Sequence, residues 1–155
     1  MKRCLSVLLV LALFLACAPV IPFYAAAATD GYYTYTVSND EATITNCDQS
    51  VSGDITIPAT LGGYPVVAID AWAFEYCTYL TSVTIPASVN TIDRSAFYGC
   101  YAMTGIWVEK DNSHYSSDSG VLFNKDKTIL VSAPSGIDGS YSIPYGVLTI
   151  GKNAF

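Results

Sequence analysis

The sequence predicts a repeat solenoid, in which each unit of about 23 residues supplies short β-strands and one helical turn. The main observation is a phrase that occurs twice: an Ile-Pro step is followed by Ala-Phe-x-x-Cys, with Phe74 and Phe97 separated by 23 residues. Cys77 and Cys100 show the same separation, and residues 141–155 repeat part of the phrase. Self-similarity at this period is typical of stacked units that share one core, so the chain is expected to present an extended surface.

Each unit is predicted to begin with a strand and to end in a large core side chain. In residues 82–85 apolar and polar side chains alternate, which predicts a strand with Val83 and Ile85 in the core. Pro86 ends that strand because proline cannot donate to a β-ladder. Asp93 stands where a helix N-cap would, before the helical turn that places Phe97 in the core.

The period also predicts where the chain departs from the repeat. Residues 29–53 contain two strand-like runs around Ser38-Asn39-Asp40-Glu41, which predicts an N-terminal β-hairpin that caps the solenoid. A second hairpin is predicted with its polar turn at 124–127, whereas residues 111–120 are expected to form a loop. The predicted units of the repeat region 54–155 are 54–80, 81–103, a variant unit 104–139 and a truncated unit 140–155.

Residues 1–28 have the pattern of a cleaved secretory signal peptide. A basic start precedes an apolar run over residues 5–16, and four alanines precede Thr29. Two prolines interrupt the segment before it reaches the ~20 apolar residues that a spanning helix needs. A lipoprotein acylated at Cys17 is the weaker alternative, so we expect a secreted or cell-surface protein that meets the membrane only through this peptide.

The charge that remains after residues 1–28 argues against nucleic acid as a partner. Five basic residues then stand against 13 acidic ones, which gives a net charge of −8. There is no basic run or stripe to contact a phosphate backbone.

Three cysteines follow the signal peptide, and an odd number does not form a complete disulfide framework. Cys77 and Cys100 occupy one repeat position, so stacked coils would place them in register. Two interpretations stay open for this pair: a ladder of small buried thiols and a Cys77–Cys100 disulfide.

No catalytic motif, metal site or cofactor-binding loop is recognisable, and we expect no enzyme and no cofactor. His114 is the only histidine and is expected to be solvated in a polar loop. Asp111, Asn112 and Asp118 are a minor alternative as calcium ligands, although their spacing fits no known loop.

Candidate contacts for a ligand are the side chains predicted to point outward from the repeated strands. These are Thr56, Thr84, Trp107 and Ser142. Trp107 differs from the others because an outward indole leaves a large apolar face in water. Four tyrosines around the Phe/Cys pattern are predicted to be partly exposed: Tyr76, Tyr79, Tyr98 and Tyr101. The competing interpretation is that all these aromatics only pack over neighbouring coils.

Together these motifs resemble the BspA-like leucine-rich repeats of secreted and surface proteins, which occur in gut and oral bacteria and in some parasitic protists. The resemblance is carried by the two Ile-Pro…Ala-Phe-x-x-Cys units, Leu-Gly-Gly-Tyr-Pro-Val at 61–66, Glu-Ala-Thr-Ile-Thr at 41–45 and Gly-Val-Leu-Phe-Asn-Lys-Asp at 120–126. Asp118-Ser119-Gly120 departs from the family pattern in one loop. The resemblance implies a leucine-rich-repeat solenoid and an adhesive role toward host matrix proteins or other microbes, without a catalytic residue.

The sequence therefore predicts a secreted or surface binding module for a protein partner, with a glycan as the alternative ligand. A competing function is a targeting or spacer region of a larger extracellular enzyme or wall protein. Because Phe155 stops before its unit reaches the expected cysteine, the sequence also predicts a fragment whose residues 141–155 are its least stable part.

Overall fold

The computed structural model describes residues 26–155, which form thirteen β-strands and no helix. All but the last three residues of the predicted signal peptide, and Cys17 with them, lie outside the described residues. Within residues 26–155, no helix has the length and apolarity needed to cross a membrane. The strands are β1 (Ala28–Asp30), β2 (Tyr33–Ser38), β3 (Glu41–Cys47), β4 (Ser52–Thr56), β5 (Thr60–Leu61), β6 (Tyr64–Ile69), β7 (Tyr79–Ile85), β8 (Thr91–Ile92), β9 (Gly105–Val108), β10 (Tyr115–Asp118), β11 (Val121–Asn124), β12 (Ile129–Ser132) and β13 (Thr149–Ile150).

The strands wind into a β-solenoid of about five turns with repeats of about 24 residues, which confirms the predicted fold class. One side is the parallel sheet β4-β7-β9, and the other contains β3, β6 and β8, also parallel to one another. The register places Val83 beside Ile55 and Ile106, so successive coils put equivalent residues next to each other. A third sheet, β10-β11-β12-β13, completes the described chain.

The N-terminal hairpin cap is confirmed. β2 and β3 pair antiparallel around Asn39 and Asp40, which both have positive φ (53° and 62°), as a tight two-residue hairpin turn requires. β3 then pairs in parallel with β6, aligning Ile44 with Ile69. The hairpin thereby covers the strand edge that the first coil would otherwise expose.

A column of aromatic side chains lies at the centre of the main core. Phe74 is fully buried, with its ring centroid 6.3 Å from that of Tyr33 and 5.2 Å from that of Phe97. Val83, Ile85 and the other predicted core residues of the second unit are also buried. Each coil therefore supplies apolar surface that its neighbour covers.

The predicted helical turn in each unit is wrong. Residues 70–77 instead form successive turns, in which Glu75 N donates to Trp72 O (2.9 Å) and Cys77 N donates to Phe74 O (3.2 Å). Trp72 and Tyr76 have φ of 57° and 55°, and these left-handed residues interrupt any right-handed helix. In the second unit, the Asp93 carboxylate accepts the Ser95 N–H at 2.8 Å, so it caps a turn where an N-cap was predicted.

The variant unit confirms one expectation and contradicts another. β11 and β12 form the predicted antiparallel hairpin, but residues 111–120 contain strand β10 where a loop was expected. Its side chains satisfy backbone groups: Ser117 Oγ accepts Val108 N (3.1 Å), and Tyr115 Oη accepts Ile92 N (3.0 Å). A strand held by hydroxyl groups lacks the apolar alternation that marks most half-buried strands.

Asn112 joins this variant unit to the preceding coil. It is fully buried, and its Nδ2 donates to Pro86 O (2.9 Å) and Val89 O (2.8 Å). Its Oδ1 accepts the backbone N–H groups of His114 and Tyr115, both at 2.8 Å. One side chain thereby satisfies four backbone groups from two neighbouring segments.

The truncated unit packs less completely than predicted. Ile143 and Ile150 hold the repeat positions of Ile85 and Ile92, which predicts that they are buried, but their exposed fractions are 44% and 49%. β13 pairs only with β12, and no described strand lies on its outer side. Ala154 is buried, whereas Phe155 is 72% exposed, as the sequence predicts.

We expect Phe74→Ala and Phe97→Ala each to lower the free energy of unfolding by ~3–5 kcal/mol, because each removes a ring from the packed column. Phe155→Ala is the matched control, since the same repeat position is mostly solvated there and little should change. Urea denaturation measures all three; equal costs at positions 74 and 155 would contradict the column.

Alkaline pH should destabilise the chain through Tyr33. Burial, with a smaller contribution from Cys47, raises the pKa of Tyr33 to about 12. Because the unfolded chain ionises this phenol from about pH 10, stability is complete below pH 10 and falls by about 2 kcal/mol as pH rises to 12. Tyr33→Phe should remove that part of the pH dependence, as urea titrations at pH 9 and 11.5 would show.

Candidate binding surface

Three of the four predicted contact residues lie in one row across the sheet β4-β7-β9. Thr56 pairs with Thr84, and Thr84 pairs with Trp107, so the three residues occupy adjacent strands about 4.8 Å apart. Trp107 is 45% exposed, which leaves much of its indole in contact with solvent. Ser142 does not join this row, because the segment between β12 and β13 adopts no strand.

A second row beside the first contains groups that the sequence did not indicate. Asp54, Ser82 and Gly105 are neighbours on the same three strands. The Asp54 carboxylate accepts the hydroxyl hydrogen bonds of Thr81 (2.7 Å) and Ser82 (2.8 Å). These bonds lower the pKa of Asp54, so the row carries a fixed negative charge at neutral pH.

Gly105 determines how Trp107 lies on the surface. A Cβ atom at residue 105 would be 2.6 Å from the indole Nε1, so the ring covers the glycine. The indole therefore lies along its own strand and presents one face to solvent. The surface formed by Thr56, Thr84, Trp107 and Asp54 is called the strand face below.

A second exposed set of side chains lies at the turns that follow the core phenylalanines. Tyr76 and Tyr98 meet edge to face, with ring centroids 5.7 Å apart. Tyr76 and Gly99 hold the same repeat position, 23 residues apart, and both have positive φ (55° and 77°). A Cβ at residue 99 would be 2.4 Å from the Tyr76 ring, so the glycine makes room for that ring. Tyr101, in a turn, and Tyr79, the first residue of β7, are also exposed.

The three cysteines are buried free thiols in this structure, and for Cys77 and Cys100 this is what the ladder interpretation predicts. Cys100 Sγ donates to Phe74 O at 3.0 Å. Contact with the Cys77 thiol, together with burial, raises the pKa of Cys47 and of Cys100. Cys47 and Cys100 are therefore protonated at neutral pH and pack as small apolar side chains.

Two of the three residues considered as calcium ligands have partners within the chain. The Asn112 oxygen already accepts two N–H groups, and the Asp118 carboxylate pairs with Lys127 Nζ at 2.8 Å. Over residues 26–155, no cluster of three His, Cys, Asp or Glu side chains is arranged to hold a metal ion. His114 is exposed, with its Nδ1 3.0 Å from the Ser113 hydroxyl.

A family model for the BspA type leucine rich repeat region matches residues 45–137 with six copies. The chain belongs to this family. Leucine-rich repeats of this type are generally non-catalytic. A comparison with curated proteins yields no match.

Solved structures of bacterial leucine-rich repeat proteins are similar to the chain. A leucine-rich repeat protein from Eubacterium ventriosum is 29% identical with a TM-score of 0.55, covering 66% of this chain and 26% of that one. A leucine rich cell surface protein from Faecalibacterium prausnitzii is 36% identical with a TM-score of 0.49, covering 57% and 24%. The chain thus spans about a quarter of the length of either relative.

We expect Gly99→Ala to destabilise the chain by more than Gly53→Ala does. Both glycines have positive φ, which costs an alanine about 1–2 kcal/mol, but only residue 99 lies against a ring. Removing that ring in the Tyr76→Ala background should reduce the cost of Gly99→Ala to that of Gly53→Ala. Urea denaturation of the four variants and of the unsubstituted chain measures this; equal costs for the two single glycine variants would show that Tyr76 is not held by Gly99.

Proposed function

We propose that this chain is a secreted or cell-surface binding module that attaches to a protein partner through the strand face. The observation that supports the proposal most strongly is the half-exposed Trp107 in a row otherwise composed of threonines. Tryptophan supplies a large rigid contact area at low entropic cost and is enriched where interfaces bind most tightly. Membership of a leucine-rich repeat family also favours a protein partner.

The charge of the surface indicates the kind of protein. The chain without residues 1–28 has a net charge of −8, and one of its carboxylates, Asp54, is held ionised in the row next to that of Trp107. Such a surface attracts basic proteins and repels polyanions such as nucleic acid. Adhesion to a host matrix protein or to another microbe is the role that we assign to this module, and the signal-peptide pattern supports its location outside the cell.

The competing function is a targeting or spacer region of a larger extracellular enzyme or wall protein.

A glycan is the second candidate ligand. Exposed tyrosines at the turns support it, because aromatic rings also stack on sugars. Arrays of matrix proteins and of glycans, probed with the purified secreted chain, distinguish these cases. Binding to neither array would favour the spacer function.

We expect Trp107→Ala to reduce binding to a protein identified on such an array by at least tenfold, while the thermal midpoint shifts by only a few degrees. Tyr32→Ala is the matched control, since Tyr32 is an exposed aromatic at the distant hairpin cap and should leave affinity unchanged.

Fluorescence provides an independent readout because the chain contains two tryptophans. In a Trp72→Tyr variant the emission reports on Trp107 alone, and it should shift when the partner binds. An unchanged affinity in Trp107→Ala, or a large loss of stability, would return Trp107 to a structural role.

A further inference from the structure

A cavity of about 380 Å³ opens between the turn that contains Phe97 and the last residues of the described chain. Its volume falls in the range of pockets that hold small ligands. Its lining combines apolar and aromatic side chains with serine and asparagine groups. The lining includes Arg94, Phe97, Tyr98, Tyr101, Ala133 and Phe155.

The cavity exists because one coil lacks the aromatic residue of its repeat position. Phe74 N donates to Ala96 O at 2.8 Å, and Ala133 N donates to Ala154 O at 2.6 Å. Ala96 and Ala154 are equivalent residues of the repeated Ala-Phe pair, so Ala133 holds the position that Phe74 holds in its own coil. Replacing phenylalanine by alanine there removes one ring from the column and leaves open space beside Phe97.

The backbone prevents the coils from closing this space. Gly136 N donates to Met103 O at 2.7 Å, which fixes the variant unit against the preceding turn. A Cβ at residue 136 would already be 2.7 Å from Met103 O and 2.8 Å from Tyr101 O. The two backbones are therefore in contact at this point, and the segment that carries Ala133 cannot move closer to Phe97.

The electrostatics of the lining favour an anion. Arg94 is the only charged side chain that lines the cavity. Its guanidinium forms no ion pair with any residue from 26 to 155, since the one salt bridge of that range joins Lys127 to Asp118. Its planar donor fork matches a carboxylate.

We propose that this cavity binds an aromatic ring that carries a nearby carboxylate, with the ring beside Phe97 and the carboxylate on Arg94. The ring takes the place of the side chain that Ala133 lacks, and Tyr98 and Tyr101 contact its edges. Both a free aromatic acid and the C-terminal Phe or Tyr of a polypeptide have this chemistry. The site lies at the turns, apart from the strand face, so it stands or falls independently of the proposed function.

The test titrates the purified chain with N-acetyl-phenylalanine and follows the ring signals of Tyr98 and Tyr101 by NMR. We expect saturable binding at or below about 1 mM, and at least tenfold weaker binding of the amide, which lacks the carboxylate. Arg94→Gln should abolish that difference by weakening only the acid. Absence of binding up to about 10 mM, or equal binding of acid and amide, would overturn the proposal.

A second experiment fills the cavity with a side chain of the protein itself. Ala133→Phe should restore the missing ring, raise the thermal midpoint and eliminate binding, whereas Ala87→Phe on the half-exposed surface should leave binding intact. Unchanged binding in a folded Ala133→Phe variant would place the ligand elsewhere and refute the proposal. Should that variant not fold, the Arg94→Gln comparison still decides.

A peptide arm identifies the source of the ligand. If Gly-Gly-Gly-Phe binds as tightly as N-acetyl-phenylalanine, the site accepts a polypeptide C-terminus. If it binds at least tenfold more weakly, the site accepts the free aromatic acid. Either result supports the pocket, provided that binding is lost in the Arg94→Gln and Ala133→Phe variants.

Discussion

The packing of one coil's aromatic side chain against the next coil is the interaction on which the molecule depends. Phe74 has neighbours on both sides, Tyr33 of the cap and Phe97 of the following unit, and all three approach within the range of favourable aromatic pairs. No single coil of this size could bury such a ring alone. The strand register, the turn geometry and the exposed faces follow from the requirement that these rings stay in line.

The residues that repeat were predictable because stacking imposes a period on them. The alternation at Val83 and Ile85 and the hairpin turn at Asn39 and Asp40 were sufficient to place the core and the cap. The turns were not predictable, since Trp72 and Tyr76 adopt left-handed φ without the glycine that usually indicates it. Strand β10 was missed because its Tyr115 and Ser117 hydroxyl groups accept backbone N–H groups of neighbouring strands, and such contacts leave no apolar pattern in the sequence.

The residues of the candidate site were likewise predictable only in part. The row from Thr56 to Trp107 followed from the period alone. Ser142 lies outside this row because its unit has no strand at that position. Asp54 was missed because its role arises from a neighbouring coil 27 residues away. The pairing of Tyr76 with Gly99 did leave a signal, since a large residue and a glycine share one repeat position. Ala133 left no signal in the sequence, because the variant unit lacks the Ala-Phe-x-x-Cys phrase that would have aligned it with Phe74.

The buried amide of Asn112 has a consequence for how the solenoid comes apart. Repeat proteins behave approximately as one-dimensional chains, whose cooperativity is set by the coupling between adjacent units. Asn112 satisfies carbonyl groups of the second unit and N–H groups of the variant unit with one side chain, so neither unit can open without leaving buried polar groups unpaired in the other. At this boundary a fluctuation that begins in one coil therefore spreads to the next, and the two coils respond to force or denaturant as a single block.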